Sequence, residues 1–99
     1  MDGRTVVVNV RTERYDVYIG RAGRGRDGYF GNPFRVGVDG SRPEVIETFR
    51  QYFTGRLGRD PEYRGRVERL RGRRLGCFCK PAACHGDVIA EYLNGGGVE

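Results

Sequence analysis

Cys77, Cys79 and Cys84 fall within eight positions, and the only histidine, His85, follows them directly. Thiolates and imidazole are the ligands of zinc and iron–sulfur centres, and a thiolate is also a nucleophile. Cys77 and Cys79 sit at the end of a segment that reads as a strand. There i and i+2 face one side, so the two sulfurs share a face and Phe78 turns the other way, into the core. Cys84 falls at the start of a helix, where free N–H groups and the helix dipole favour a thiolate.

The spacing separates the chemistries. Extended i, i+2 residues lie about 6.6 Å apart, a poor fit to a disulfide. Two sulfurs on one tetrahedral zinc lie about 3.8 Å apart, so a strand would have to bend to serve it. An iron–sulfur cluster spreads its ligands over several irons. The expectation is a [4Fe–4S] cluster on Cys77, Cys79 and Cys84, with zinc as the alternative. Neighbours on a helix diverge by about 100°, which places His85 beside the metal and leaves one position open for a substrate. A lyase or hydrolase type of reaction would use that position as a Lewis acid. His85 and Asp87 would act as acid or base, and Lys80 and the loop arginines would hold an anionic group. A purely structural metal, a Cys nucleophile assisted by His85 and ordinary reduced core thiols remain open alternatives.

The surrounding elements must position these groups. Thr5 to Val10 and Asp16 to Arg21 are β-branched or apolar runs that read as strands, with a short polar link suited to a hairpin. Gly20 to Gly28 is a glycine–arginine loop without the spacing of a phosphate-binding P-loop. Ser41, Pro43 and Glu44 mark a helix start with a capping box. Val45, Ile46, Phe49, Tyr52 and Phe53 form its apolar stripe, and Gly55 and Gly58 end it. A polar helix follows from Pro61 to Arg71, then a strand from Arg74 to Cys79. A last helix runs from His85 to Leu93. The expected fold is one small α/β domain of residues 1–99, a three-stranded mixed sheet with about three helices. Its core spans 5–94, with 95–99 a flexible tail.

Composition bounds the partners. The chain has 99 residues and a net charge of +5, carried almost wholly by arginine, with Lys80 the only lysine. Arginine suits phosphate and carboxylate, so a small anionic molecule, a nucleotide or a nucleic acid is expected, against a solvated arginine-rich surface as the plainer reading. No run is long and apolar enough to span a membrane and the start lacks a signal-peptide layout, so a cytoplasmic location is expected.

The chain resembles a family of small bacterial and phage proteins grouped as a domain of unknown function. The resemblance rests on Gly76-Cys77-Phe78-Cys79-Lys80-Pro81 and Cys84-His85-Gly86-Asp87-Val88-Ile89, and on Tyr18-Ile19-Gly20-Arg21 followed by Gly31-Asn32-Pro33-Phe34. It runs from Val8 to Asn94. Phe30 stands where the family usually has Trp, after a glycine-rich insert. The family name carries no activity, and the alternative to an enzyme is a nucleic-acid-binding or phage-type interaction module with a structural zinc or cluster. The resemblance implies that Gly20, Arg21 and Asn32 bind a ligand on the surface that holds the cysteines.

Overall fold

The structure, a computed structural model, describes residues 3–95; most of the tail expected beyond residue 94 lies outside them. The elements are β1 (Val6–Asn9), β2 (Val17–Tyr18), α1 (Arg42–Arg59), α2 (Pro61–Glu68), β3 (Arg74–Cys77) and α3 (His85–Leu93). The sheet order is β1-β3-β2, and both outer strands run parallel to β3.

The sheet is therefore parallel throughout, not mixed, and β1 and β2 form no hairpin. Residues 10–16 carry the chain across β3, back to the end at which all three strands begin. Parallel strands usually need a dozen or more residues for such a crossover. Here the strands are short, and Gly76 clears the path. A Cβ on Gly76 would lie 2.7 Å from Tyr15 Cγ and from Val10 Cγ1, so the crossover packs directly on the backbone of β3. A sequence read for turns sees only a short polar link and takes it for a hairpin.

The other sheet face carries the main core. Leu75 and Cys77 alternate with Gly76 along β3 and face the helices, as the two-residue period of a strand requires. Phe49, Phe53, Val67, Leu75 and Ile89 are fully buried in this layer. Phe49 and Phe53 lie one helical turn apart and stack at 5.7 Å between centroids.

Helix α1 starts as its capping box requires. Glu44 Oε1 accepts from the Ser41 N–H at 2.8 Å, and the Glu44 N–H points back to Ser41 Oγ. It runs through Gly55 and Gly58 to Arg59. Each glycine costs about 1 kcal/mol in a helix interior, yet buried Phe53 and Leu57 keep this segment helical. Asp60 then ends α1 and caps α2, accepting from the Tyr63 N–H at 3.1 Å.

The start of β1 is tied to the end of α3. The Thr5 N–H donates to Asn94 Oδ1 and Asn94 Nδ2 donates to the Thr5 carbonyl, both at 2.9 Å. The Gly72 N–H donates to Thr5 Oγ1 at 2.7 Å. Asn94→Ala removes both amide bonds and is expected to cost about 1–3 kcal/mol. A thermal melt reads this as a fall of several degrees; an unchanged midpoint would show that water replaces the amide at no cost.

A candidate active site at the carboxyl ends of the strands

In an open parallel sheet, ligands bind beyond the carboxyl ends of the strands. A cleft of about 680 Å³ lies there, bounded by β3, the loop after β2 and the first turns of α1 and α3. Cys77, Cys79, Cys84 and His85 all line it.

The strand ends at Cys77 and the chain bends at Phe78, so the expected continuation to Cys79 does not form. Cys77 and Cys84 are buried with their sulfurs 3.2 Å apart, while Cys79 is exposed in the turn between them. Asn9, at the tip of β1, holds that turn through its Nδ2, which donates to the Lys80 carbonyl at 2.6 Å. Phe78 is not in the core. It is 42% exposed, because the bend at the strand end carries its ring out over the cleft wall. Among the described residues, no three His, Cys, Asp or Glu side chains are grouped to hold a metal ion. The sulfurs of Cys77 and Cys84 are brought together; that of Cys79 stands apart.

The buried pair shares a proton. The Cys84 S–H donates to Cys77 and, against the cost of burial, the N–H groups of Cys79 and Lys80 and the Lys80 charge also favour a Cys77 thiolate. Its pKa falls to about 6. Cys84, the donor to that thiolate, is pushed above the ordinary thiol range, and burial adds to the rise. The two titrate as a unit, one proton leaving readily and the second held.

His85 caps the cleft floor from α3. It is 7% exposed, edge-on to Phe49 with centroids 5.0 Å apart, and its Nε2 lies 2.8 Å from the Ile19 carbonyl. A carbonyl only accepts, so the proton sits on Nε2. Burial lowers the pKa of His85, against the pull of the Ile19 and Phe30 carbonyls, and favours the neutral ring. Lys80 and Asp87 pair with each other at 2.6 Å and do not line the cleft. Asp87 also accepts from the Cys84 N–H at 3.1 Å, capping α3. Burial lowers the pKa of Lys80, but the Asp87 bond and charge outweigh it and leave the pKa raised. The structure gives Asp87 and Lys80 the task of fixing the turn that carries the cysteines.

Arg21 joins two segments of the loop. Its guanidinium donates to the Asn32 carbonyl at 2.7 Å and to the Phe34 carbonyl at 3.0 Å. Asn32 is buried, and its Oδ1 accepts from the Phe34 N–H at 2.9 Å in an Asx turn. Gly20 lies under the ring of Tyr18; a Cβ there would fall 2.3 Å from the Tyr18 hydroxyl. Gly20, Arg21 and Asn32 all line the cleft, so these three and the cysteines do share one surface. His85 completes the junction by bonding the Ile19 carbonyl.

Residues 7–95 match a family described as a domain of unknown function, DUF4326. The chain belongs to the DUF4326 family. It is also 43% identical over 89 residues to an uncharacterized 12.4 kDa protein from the nrdA-td intergenic region of Enterobacteria phage T4. That alignment covers 89% of this chain and 76% of the relative. No solved structure matches the chain.

Three cleft residues of this DUF4326 domain, Arg11, Phe78 and Arg42, and Asn9 behind the cysteine turn have roles that a reading of the sequence misses. Asn9 carries a signal, since a polar residue closing a β-branched run marks the carboxyl end of a strand. Arg42 looks like a helix-start residue, yet its Nη1 donates to the Ala83 carbonyl at 3.0 Å and ties the first turn of α1 to the cysteine turn. Nothing local marks Arg11 or Phe78, because their meeting depends on the crossover.

Proposed function

We propose that this protein binds a small anionic molecule in the cleft and acts on it with its thiol centre. One observation carries the anionic part. Arg11, Arg21, Arg24, Arg26 and Arg42 line the cleft, and no Asp or Glu lines it. None of these arginines enters an ion pair among the described residues. Positive groups gathered around a concave surface without carboxylates focus a potential that favours an anion.

The thiol centre supplies the chemistry. The 3.2 Å between the Cys77 and Cys84 sulfurs is near the roughly 3.8 Å that two thiolates of one tetrahedral ion keep. A single ion is therefore favoured over a [4Fe–4S] cluster, whose ligands sit on separate irons. Cys77 and Cys84 would hold such an ion, while Cys79, exposed on the same cleft, stands apart from them. A metal held there would supply a Lewis acid for a lyase or hydrolase type of reaction on the bound anion.

Two measurements test the reading. Protein purified without oxygen or chelator is expected to carry stoichiometric zinc or iron, lost in Cys77→Ser. Acid-labile sulfide with a broad absorption near about 400 nm would restore the cluster. Protein with neither metal nor sulfide would end the metal part of the proposal. Melting in rising inorganic phosphate at constant ionic strength tests the anion. A ligand at about 100 times its dissociation constant adds about 2.7 kcal/mol, so the midpoint should climb by ten degrees or more. No gain over chloride would sink the anion reading.

A further inference from the structure

We infer that the anion is a nucleotide, with its base stacked at Phe78 and its phosphate held by Arg24. This rests on the anion-binding reading above and names the ligand class for that site.

Phe78 carries the base end. It is a large aromatic ring left 42% exposed on the wall of a basic cleft. Its described ring neighbours are two. The Arg11 guanidinium lies 4.8 Å from its centroid, and Tyr18 meets it edge-on at 6.1 Å. Tyr18 is itself covered by Arg26 at 4.3 Å, and Arg26 is anchored by a 2.8 Å bond to the Tyr15 hydroxyl. Two aromatic rings, flanked by a guanidinium group at each end, thus form one row along the wall. Bases stack on both kinds of surface, and a π-face accepts any base. The wall is preorganised, because Asn9 holds the adjacent turn and Gly76 seats the crossover that brings Arg11.

Arg24 carries the phosphate end. Arg11, Arg21, Arg26 and Arg42 each spend their guanidinium on a described ring or carbonyl. Arg24 makes no described side-chain hydrogen bond, ion pair or ring contact, and it lines the cleft. The glycine–arginine loop presents it on a tight hairpin tip. Gly23 and Arg26 exchange two backbone bonds, at 3.0 and 2.9 Å, around Arg24 and Gly25. Both central residues have positive φ, 51° and 83°, as a type I′ turn requires. A non-glycine residue in that region is uncommon, and an unspent arginine held there over a basic cleft is a ready hydrogen-bond donor to a phosphate. The cleft volume falls within the roughly 300–1,000 Å³ of small-molecule sites.

The test separates base from phosphate. Calorimetric titrations would use adenosine 5′-monophosphate, ribose 5-phosphate and inorganic phosphate against the wild-type protein, Phe78→Leu and Arg24→Asn. Asparagine tolerates positive φ, so Arg24→Asn removes the charge without disturbing the turn. Phe78→Leu is expected to weaken the nucleotide about tenfold, the lower part of the range for a stacked base, and to leave ribose 5-phosphate unchanged. Arg24→Asn is expected to weaken all three. If ribose 5-phosphate binds the wild type as tightly as the nucleotide and Phe78→Leu is neutral, the nucleotide inference is overturned while the anion reading stands. If no phosphate compound binds, both fall. Binding of a short single-stranded oligonucleotide without binding of the mononucleotide also overturns the inference, since the occupant would then be a polymer.

Discussion

Replacing Gly76 by alanine is expected to cost about 2 kcal/mol, and by valine about 3 kcal/mol or more. The added Cβ would stand 2.7 Å from Tyr15 Cγ and 2.9 Å from Tyr15 Cδ2, so it meets the body of the ring and not the far end of a flexible side chain. Val10 blocks the other side at 2.7 Å. The crossover must lift off the strand, or the strand must leave the sheet. A domain of this size has roughly 5–15 kcal/mol in all, so Val is expected to leave little folded protein at 37 °C. Thermal denaturation of Gly76→Ala should fall by about 8–16 °C. Adding Tyr15→Ala should restore part of that loss. A Gly76→Ala midpoint at or above the wild-type value would mean that the crossover does not press on β3.

The second large effect is expected at His85. His85→Leu keeps the volume and the packing on Phe49 but leaves the Ile19 carbonyl buried without a donor, which costs about 1–3 kcal/mol. His85→Gln, whose amide can still donate, should recover a good part. Melting curves of the two variants separate the roles. Equal stability would show that the Ile19 bond contributes nothing. A Leu variant well below the Gln variant establishes His85 as the residue that fastens the loop after β2 to α3. Because Gly20 and Arg21 follow Ile19 directly, the Leu variant should also bind phosphate less tightly at temperatures where it is still folded.

The legible parts of the fold were those written locally. Helix α3 was readable from end to end, since Val88, Ile89, Tyr92 and Leu93 repeat at helical spacing and Asn94 closes them. The capping box at Ser41 and Glu44 named the start of α1. The end of α1 was misread because Gly55 and Gly58 stop an isolated helix, whereas burial of Leu57 carries this one past them. The parallel sheet was hidden because its cause is Gly76, some sixty residues from the link it accommodates.

The site divides in the same way. The cysteine cluster stood out by residue type, and the structure brings Cys77 and Cys84 together as spacing alone could not show. Phe78 and Cys79 were misplaced by one assumption, that the strand continues past Cys77. The meeting of Gly20, Arg21 and Asn32 with the cysteines was anticipated. Its form was not: Arg21 grips the Asn32 and Phe34 carbonyls, a clamp that no side-chain inventory reveals.

The double amide link between Thr5 and Asn94 makes the chain a near-closed ring. It lies at the sheet end opposite the cleft, where β1 begins and α3 finishes. The molecule is therefore suited to circular permutation. A short linker from Gly95 to Gly3 would take over what the amides now do, and new termini could open in an exposed loop without entering the core.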